Sequence, residues 1–152
     1  MDSLKKSPFL KGWVIARILL GGMFMFSGFE KLSSPPQNFQ YVLEEYRILP
    51  RFLEKSLARV LPWVEFMAGV FVAAGLWLQA SLTGALVLFG SFIVVVAQAL
   101  FRRLPITECG CFGEQFSFPL QVVLVMDSFL FLLTGALLLN LPKAGHWSLD
   151  RY

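Results

Sequence analysis

Four long apolar stretches run along the chain, each about as long as a helix that crosses a bilayer. They cover residues 12–32, 60–78, 80–101 and 119–141. A membrane-spanning helix needs about 20 predominantly apolar residues, and the third stretch contains no charged residue at all. The pattern predicts an all-α integral membrane four-helix bundle that forms a single domain over residues 1–152.

A different pattern occupies the loop between the first two stretches. Prolines at 35 and 36 end the first helix. Over residues 37–57, apolar side chains recur at helical spacing with charged residues between them. This spacing predicts an amphipathic helix in the membrane interface, interrupted at Pro50. Such a segment either caps the bundle or takes part in gating or docking. A tight hairpin at Leu78-Gln79-Ala80 is predicted to join the second and third helices.

Composition supports lipid as the surrounding solvent. Apolar residues make up 57% of the chain and charged residues 15%, against about 45–50% and about 25% in soluble domains. The net charge of +3 comes from basic residues scattered through loops and ends, as in membrane proteins, so nucleic acid is not a predicted partner. No zinc-type site is predicted, because such a site needs four ligands.

The two cysteines are the chain's clearest chemical signal. Cys109 and Cys111 flank Gly110 just beyond the third apolar stretch, at a predicted bilayer edge. A disulfide across one residue is hard to close without strain, and strain makes a disulfide easier to reduce. Gly110 would relieve part of that strain. The spacing therefore predicts an exchangeable disulfide, with Cu(I) binding by two thiolates or a pair of unpaired thiols as the alternatives.

Two carboxylates are predicted to lie in the membrane beneath the cysteines. Four crossings put both chain ends on one side and the cysteine loop on the other. Helical rise then places Glu65 roughly 8 Å and Asp127 roughly 12 Å below the cysteine face. Ionisable groups at such depths are costly and usually functional. Since a dithiol releases two protons on oxidation, both acids are candidate proton groups; the alternative is that Glu65 pairs with Lys31 or Arg17 to hold helices together.

Four further residues are candidates for supporting roles. Positive charge near a thiol favours the reactive thiolate, so Lys31 could activate the cysteines, whereas Glu108 beside Cys109 would oppose this. Glu30 and Arg17 are either part of the same polar group or structural partners between helices.

Several of these residues fall in short motifs that resemble the MauE branch of the DoxX-like membrane proteins. The resemblance implies a four-helix membrane protein tied to thiol redox chemistry, with members associated with methylamine dehydrogenase maturation and thioredoxin-like partners. The bundle is also similar in architecture to the quinone-linked enzymes DsbB and vitamin K epoxide reductase, which relay electrons between two cysteine pairs where this chain has one. The motifs are Arg17 with Gly21-Gly22, Ser27-Gly28-Phe29-Glu30-Lys31-Leu32, Leu61-Pro62-Trp63-Val64-Glu65, Cys109-Gly110-Cys111-Phe112-Gly113 and Asp127.

These observations predict a membrane thiol-disulfide oxidoreductase or electron-transfer protein. Cys109 and Cys111 would exchange with a thioredoxin-fold protein or a cysteine-containing client, and Glu65 and Asp127 would handle protons. The alternatives are a carrier of Cu(I) or a small molecule, and a non-catalytic scaffold of a membrane redox complex. A quinone is a candidate cofactor of the exchange reaction, and Cu(I) of the carrier.

The predicted location is the inner membrane of a bacterium, with the cysteine loop outside the cytoplasm. An exchangeable disulfide fits the oxidising face of that membrane. The distribution of Lys and Arg leans weakly the other way.

Overall fold

The computed structural model describes residues 8–104, 106 and 118–145. This part of the chain is helical and contains no strand. Four of its helices are long and apolar enough to cross a membrane, which confirms the predicted all-α, multi-pass membrane fold. The helices are α1 (Pro8–Ser33), α2 (Pro36–Tyr46), α3 (Arg51–Ala74), α4 (Leu78–Phe101), α5 (Leu120–Leu139) and the short α6 (Leu141–Ala144).

The interfacial segment is shorter than predicted, and the second spanning helix begins earlier. The amphipathic helix α2 ends at Tyr46, and residues 51–57 form the first turns of α3 instead of a second interfacial piece. Pro50 explains this, because its extended backbone (φ −71°, ψ 146°) precedes α3 as the N-cap, where a missing N–H breaks no helical hydrogen bond. Pro62 remains inside α3, as membrane helices tolerate.

The hairpin between α3 and α4 lies at residues 75–77, three residues earlier than predicted. Gly75 (φ 70°) and Trp77 (φ 43°) both adopt the left-handed conformation. A glycine in this conformation commonly ends a helix, so α3 stops there and Leu78 already belongs to α4.

Helix α1 packs chiefly against α3, and α4 chiefly against α5. Glycines allow the backbones of the first pair to approach closely. A Cβ atom added to Gly28 would lie 2.6 Å from the backbone nitrogen of Phe66, and one added to Gly21 would lie 2.6 Å from that of Ala73. Close approach at small residues is a common way for membrane helices to associate. Here it brings the polar side chains of α1 close to those of α3.

The main apolar core lies in the half of the bundle that holds the α3–α4 hairpin. Its buried members include Leu20, Val72, Leu82 and Leu137. The opposite half holds the end of α1, the end of α4 and the start of α5, and the cysteine segment, residues 105–117, lies between α4 and α5 in the sequence. We call this half the cysteine side, because Cys109 and Cys111 belong to that segment.

Candidate functional site

A buried ion pair joins α1 to α3 on the cysteine side. The Lys31 Nζ atom lies 2.7 Å from Glu65 Oε2, and the two side chains are only 2% and 1% exposed. Lys31 also donates to Ser27 Oγ at 3.0 Å, and the Ser27 hydroxyl donates to Glu65 Oε2 at 3.4 Å. Ser27 and Lys31 are one helical turn apart beside Gly28, so the close α1–α3 contact brings both directly against Glu65.

Asp127 of α5 faces the same site across a small cavity. The cavity has a volume of about 30 Å³, and Asp127, Glu65, Lys31 and Ser27 supply its polar lining. A buried water needs roughly 10–15 Å³ on this measure and at least two polar partners. The cavity is therefore large enough and polar enough for water between the two acids.

The charges of this group do not balance. Lys31 supplies one positive charge, whereas Glu65 and Asp127 supply two carboxylates. Among the residues that the structure describes, Glu65 Oε1 and Asp127 Oδ2 have no hydrogen-bond partner. Because an uncompensated charge inside a membrane protein is costly, a proton is the simplest cation to balance the remaining negative charge. One proton on either carboxylate would bring the net charge of Lys31, Glu65 and Asp127 to zero.

Two aromatic rings lie close to the Lys31 ammonium group. Lys31 Nζ lies 5.4 Å from the centre of the Phe39 ring and 5.7 Å from that of Phe92. Both separations are within the range of a cation–π interaction. Phe39 belongs to α2, so the amphipathic helix helps to close the site.

Tyr46, at the end of α2, packs against α4 and α5 on the cysteine side. It is buried against Val96 and Ala99 of α4 and Val123 of α5. Burial, followed by the negative charges of Asp127 and Glu45, raises the pKa of the Tyr46 phenol to about 12. The phenol therefore stays protonated at neutral pH, close to Asp127 and to the helix ends that lead into the cysteine segment.

Comparisons with known proteins bear on the same region. The family model described as Methylamine utilisation protein MauE matches residues 11–140. This chain belongs to the MauE family. The Methylamine utilization protein MauE of Paracoccus denitrificans is 31% identical over 137 residues, which cover 87% of this chain and 70% of that protein. No solved structure matches the chain.

The structure brings three of the predicted site residues of this MauE-family protein together: Glu65, Asp127 and Lys31. Glu30 is half-buried and does not line the cavity, and its Oε2 atom has no partner among the described residues. The two cysteines, with Glu108 and Gly110, lie outside the described residues, so their roles stay predictions. The sequence analysis did not propose Ser27 or Tyr46 as site residues. The signal for Ser27 is its place one helical turn before Lys31.

Arg17 lies far from this site. It is fourteen residues before Lys31, roughly 21 Å along α1. Its Nη1 atom donates to the carbonyl oxygen of Ala144 at 2.8 Å, and its Nη2 atom donates to that of Ala73 at 3.4 Å. These carbonyls end α6 and α3, where a cation is favourable. Of the two partners proposed for Glu65, Lys31 is the one observed.

Replacing Arg17 with glutamine is therefore expected to destabilise the fold without touching the acidic site. Hydrogen bonds from a charged group contribute about 1.5–3 kcal/mol, so a loss of about that size is expected in the free energy of unfolding in detergent. Arg59→Gln is the matched control, since Arg59 is exposed on α3. Equal stability of the two variants would contradict this role for Arg17.

Proposed function

We propose that this MauE-family protein exchanges disulfides at the membrane through Cys109 and Cys111, with Glu65 and Asp127 as the buried groups that take up and release protons. The name of its relative points to methylamine utilisation, and we place this protein in the same process. The partner is a thioredoxin-fold protein or a client with a cysteine pair.

The position of the acidic group carries the proposal. Asp127 lies eight residues after Pro119 in α5, roughly 12 Å from the start of that helix. The cysteine segment leads directly into this start. The charged cavity lies in the half of the bundle that holds the end of α4 and the start of α5, the two helices between which the cysteines lie in the sequence. The other half is apolar apart from groups such as Arg17 that satisfy helix ends. Ionisable residues buried within a membrane usually mark proton or ion pathways.

The exchange itself needs only thiols and a partner disulfide. One thiolate attacks a sulfur atom of the partner's disulfide and forms a mixed disulfide, and the second thiolate then releases the partner. The Cys109–Cys111 pair loses two electrons and two protons, and the partner's disulfide gains two electrons and two protons to become a dithiol. In the reverse direction the partner is oxidised. The Asp127–Glu65 group would accept the proton from the thiol that must ionise, or return it.

The location follows from the same chemistry. We place the protein in the bacterial inner membrane with the cysteine segment outside the cytoplasm, because disulfides persist in oxidising compartments.

Activity towards a disulfide substrate in liposomes tests the proposal. Cys109→Ser and Cys111→Ser are expected to abolish exchange, and single-cysteine variants in native membranes are expected to trap the partner as a mixed disulfide. Asp127→Asn should slow exchange about 100-fold, as expected for loss of a proton-transfer group. Ser128→Ala is the matched control on the same helix, since the Ser128 hydroxyl donates to the Leu124 carbonyl oxygen one turn earlier.

Full activity of either cysteine variant would contradict the proposal. Tight, stoichiometric uptake of Cu(I) under reducing conditions, without any thiol exchange, would instead identify a metal carrier. If both cysteines were dispensable while changes to α2 abolished function, the scaffold reading would stand.

A further inference from the structure

A second and larger cavity lies beneath α2, between α3 and α4. Its volume is about 300 Å³, and apolar side chains such as Val42, Leu61 and Val95 dominate its lining. Helices α3 and α4 contact each other less than either contacts its main neighbour, which leaves room for this chamber. Along α4 the lining runs from Leu88 to Val96, roughly 12 Å of helix.

The helix surfaces beside the chamber face lipid. The neighbouring helix surfaces carry large exposed apolar side chains, among them Trp63 of α3 and Val94 of α4, which are 55% and 67% exposed. Both helices have the length and composition of membrane spans, so hydrocarbon surrounds them. An apolar chamber in such surroundings suits a single hydrocarbon chain.

Two arginines lie above the chamber at the membrane surface. Arg47 directly follows the lining residue Tyr46, and Arg102 lies seven residues after the lining residue Val95, on the same face of α4. The Arg102 Nη1 atom lies 3.5 Å from the Arg47 carbonyl oxygen, so the two residues are neighbours. Both are exposed.

Among the residues that the structure describes, neither arginine forms an ion pair with an acidic side chain. The ion pair found within the described residues is Lys31–Glu65. Glu44, the nearby acid of α2, accepts a hydrogen bond from Gln40, and Glu45 is exposed. The guanidinium groups can therefore bind an anion, and arginine is well suited to phosphate.

We propose that this surface binds one anionic phospholipid, with its phosphate on Arg47 and Arg102 and one acyl chain in the chamber between α3 and α4. Basic groups at the membrane surface attract anionic lipids, and the apolar chamber below them would hold the acyl chain. The lipid would fill the gap under α2 and hold that helix in place. The proposal is independent of the thiol chemistry.

Lipid retention on the purified full-length protein tests the headgroup contact. Native mass spectrometry is to be run after reconstitution with phosphatidylglycerol or with phosphatidylcholine. The wild-type protein is expected to retain one phosphatidylglycerol in preference to phosphatidylcholine. Arg47→Gln and Arg102→Gln should each reduce that preference about fivefold, whereas Lys55→Gln, which removes an exposed charge elsewhere on α3, should not.

A second variant tests whether the acyl chain of the lipid occupies the chamber. Ser91 is exposed at the edge of the chamber, so Ser91→Phe should block the space without disturbing the core and should abolish retention of either lipid. Ala97→Phe, at an exposed position of α4 outside the lining, is the matched control. Equal retention of the two lipids, or unchanged retention in Ser91→Phe and both arginine variants, would overturn the proposal; detergent competing as well as phosphatidylglycerol would do the same.

Discussion

Replacing Lys31 with methionine is expected to lower the free energy of unfolding by about 3–5 kcal/mol, the usual cost of breaking a buried ion pair from one side. Methionine keeps the length and apolar stem of lysine but removes the ammonium group. Glu65 would then remain 1% exposed, beside a second carboxylate in the same cavity and without the cation that pairs with it. Thermal and chemical unfolding in detergent or in lipid would measure the loss.

Two further variants distinguish the effect of breaking the ion pair from the effect of removing a lysine from α1. Lys31→Met combined with Glu65→Leu removes both charges, and replacing a buried pair with apolar groups is often close to neutral; the double variant should therefore be more stable than Lys31→Met alone. Lys11→Met removes an exposed charge from the same helix and should have little effect. A Lys31→Met protein as stable as Lys11→Met would show that Glu65 does not depend on this cation.

Gly69→Ala is expected to separate α1 from α3 and to destabilise the bundle by about 1–3 kcal/mol, as overpacking does. The added Cβ atom would lie 2.5 Å from the Met25 backbone nitrogen and 2.7 Å from the Gly21 carbonyl oxygen. Because both are backbone atoms, no side-chain rotation can relieve the clash, and the helices must move. That movement would also draw Ser27 and Lys31 away from Glu65.

Gly22→Ala and Gly84→Ala are the matched controls. A Cβ atom at either position meets nothing within 4 Å. Alanine is also a better helix former than glycine by about 1 kcal/mol, so both variants should be at least as stable as the wild type. The same unfolding measurements compare the three proteins, and a Gly69→Ala variant that matched the controls would refute the tight α1–α3 contact.

Much of the architecture was predictable from local patterns. Apolar length marked the four spans, because a bilayer requires about 20 apolar residues in each helix. Helical rise then placed Glu65 and Asp127 in the half nearer the cysteine segment, where the structure brings them to one cavity. The errors fell at turns. The α3–α4 hairpin lies at Gly75 and Trp77, because a left-handed glycine ends α3, whereas hydropathy continues without interruption across that point.

The sequence by itself determined the fold class and put Glu65 and Asp127 in the half of the bundle nearer the cysteine segment, since both depend on order and spacing along the chain. Only the tertiary structure decided that Glu65 pairs with Lys31, that Arg17 binds helix ends, and that Asp127 faces a cavity with unbalanced charge. Such pairings depend on how close α1, α3 and α5 come and on how each helix is rotated. Small residues such as Gly28 and Gly69 set the α1–α3 approach, and their effect appears only when the two helices meet.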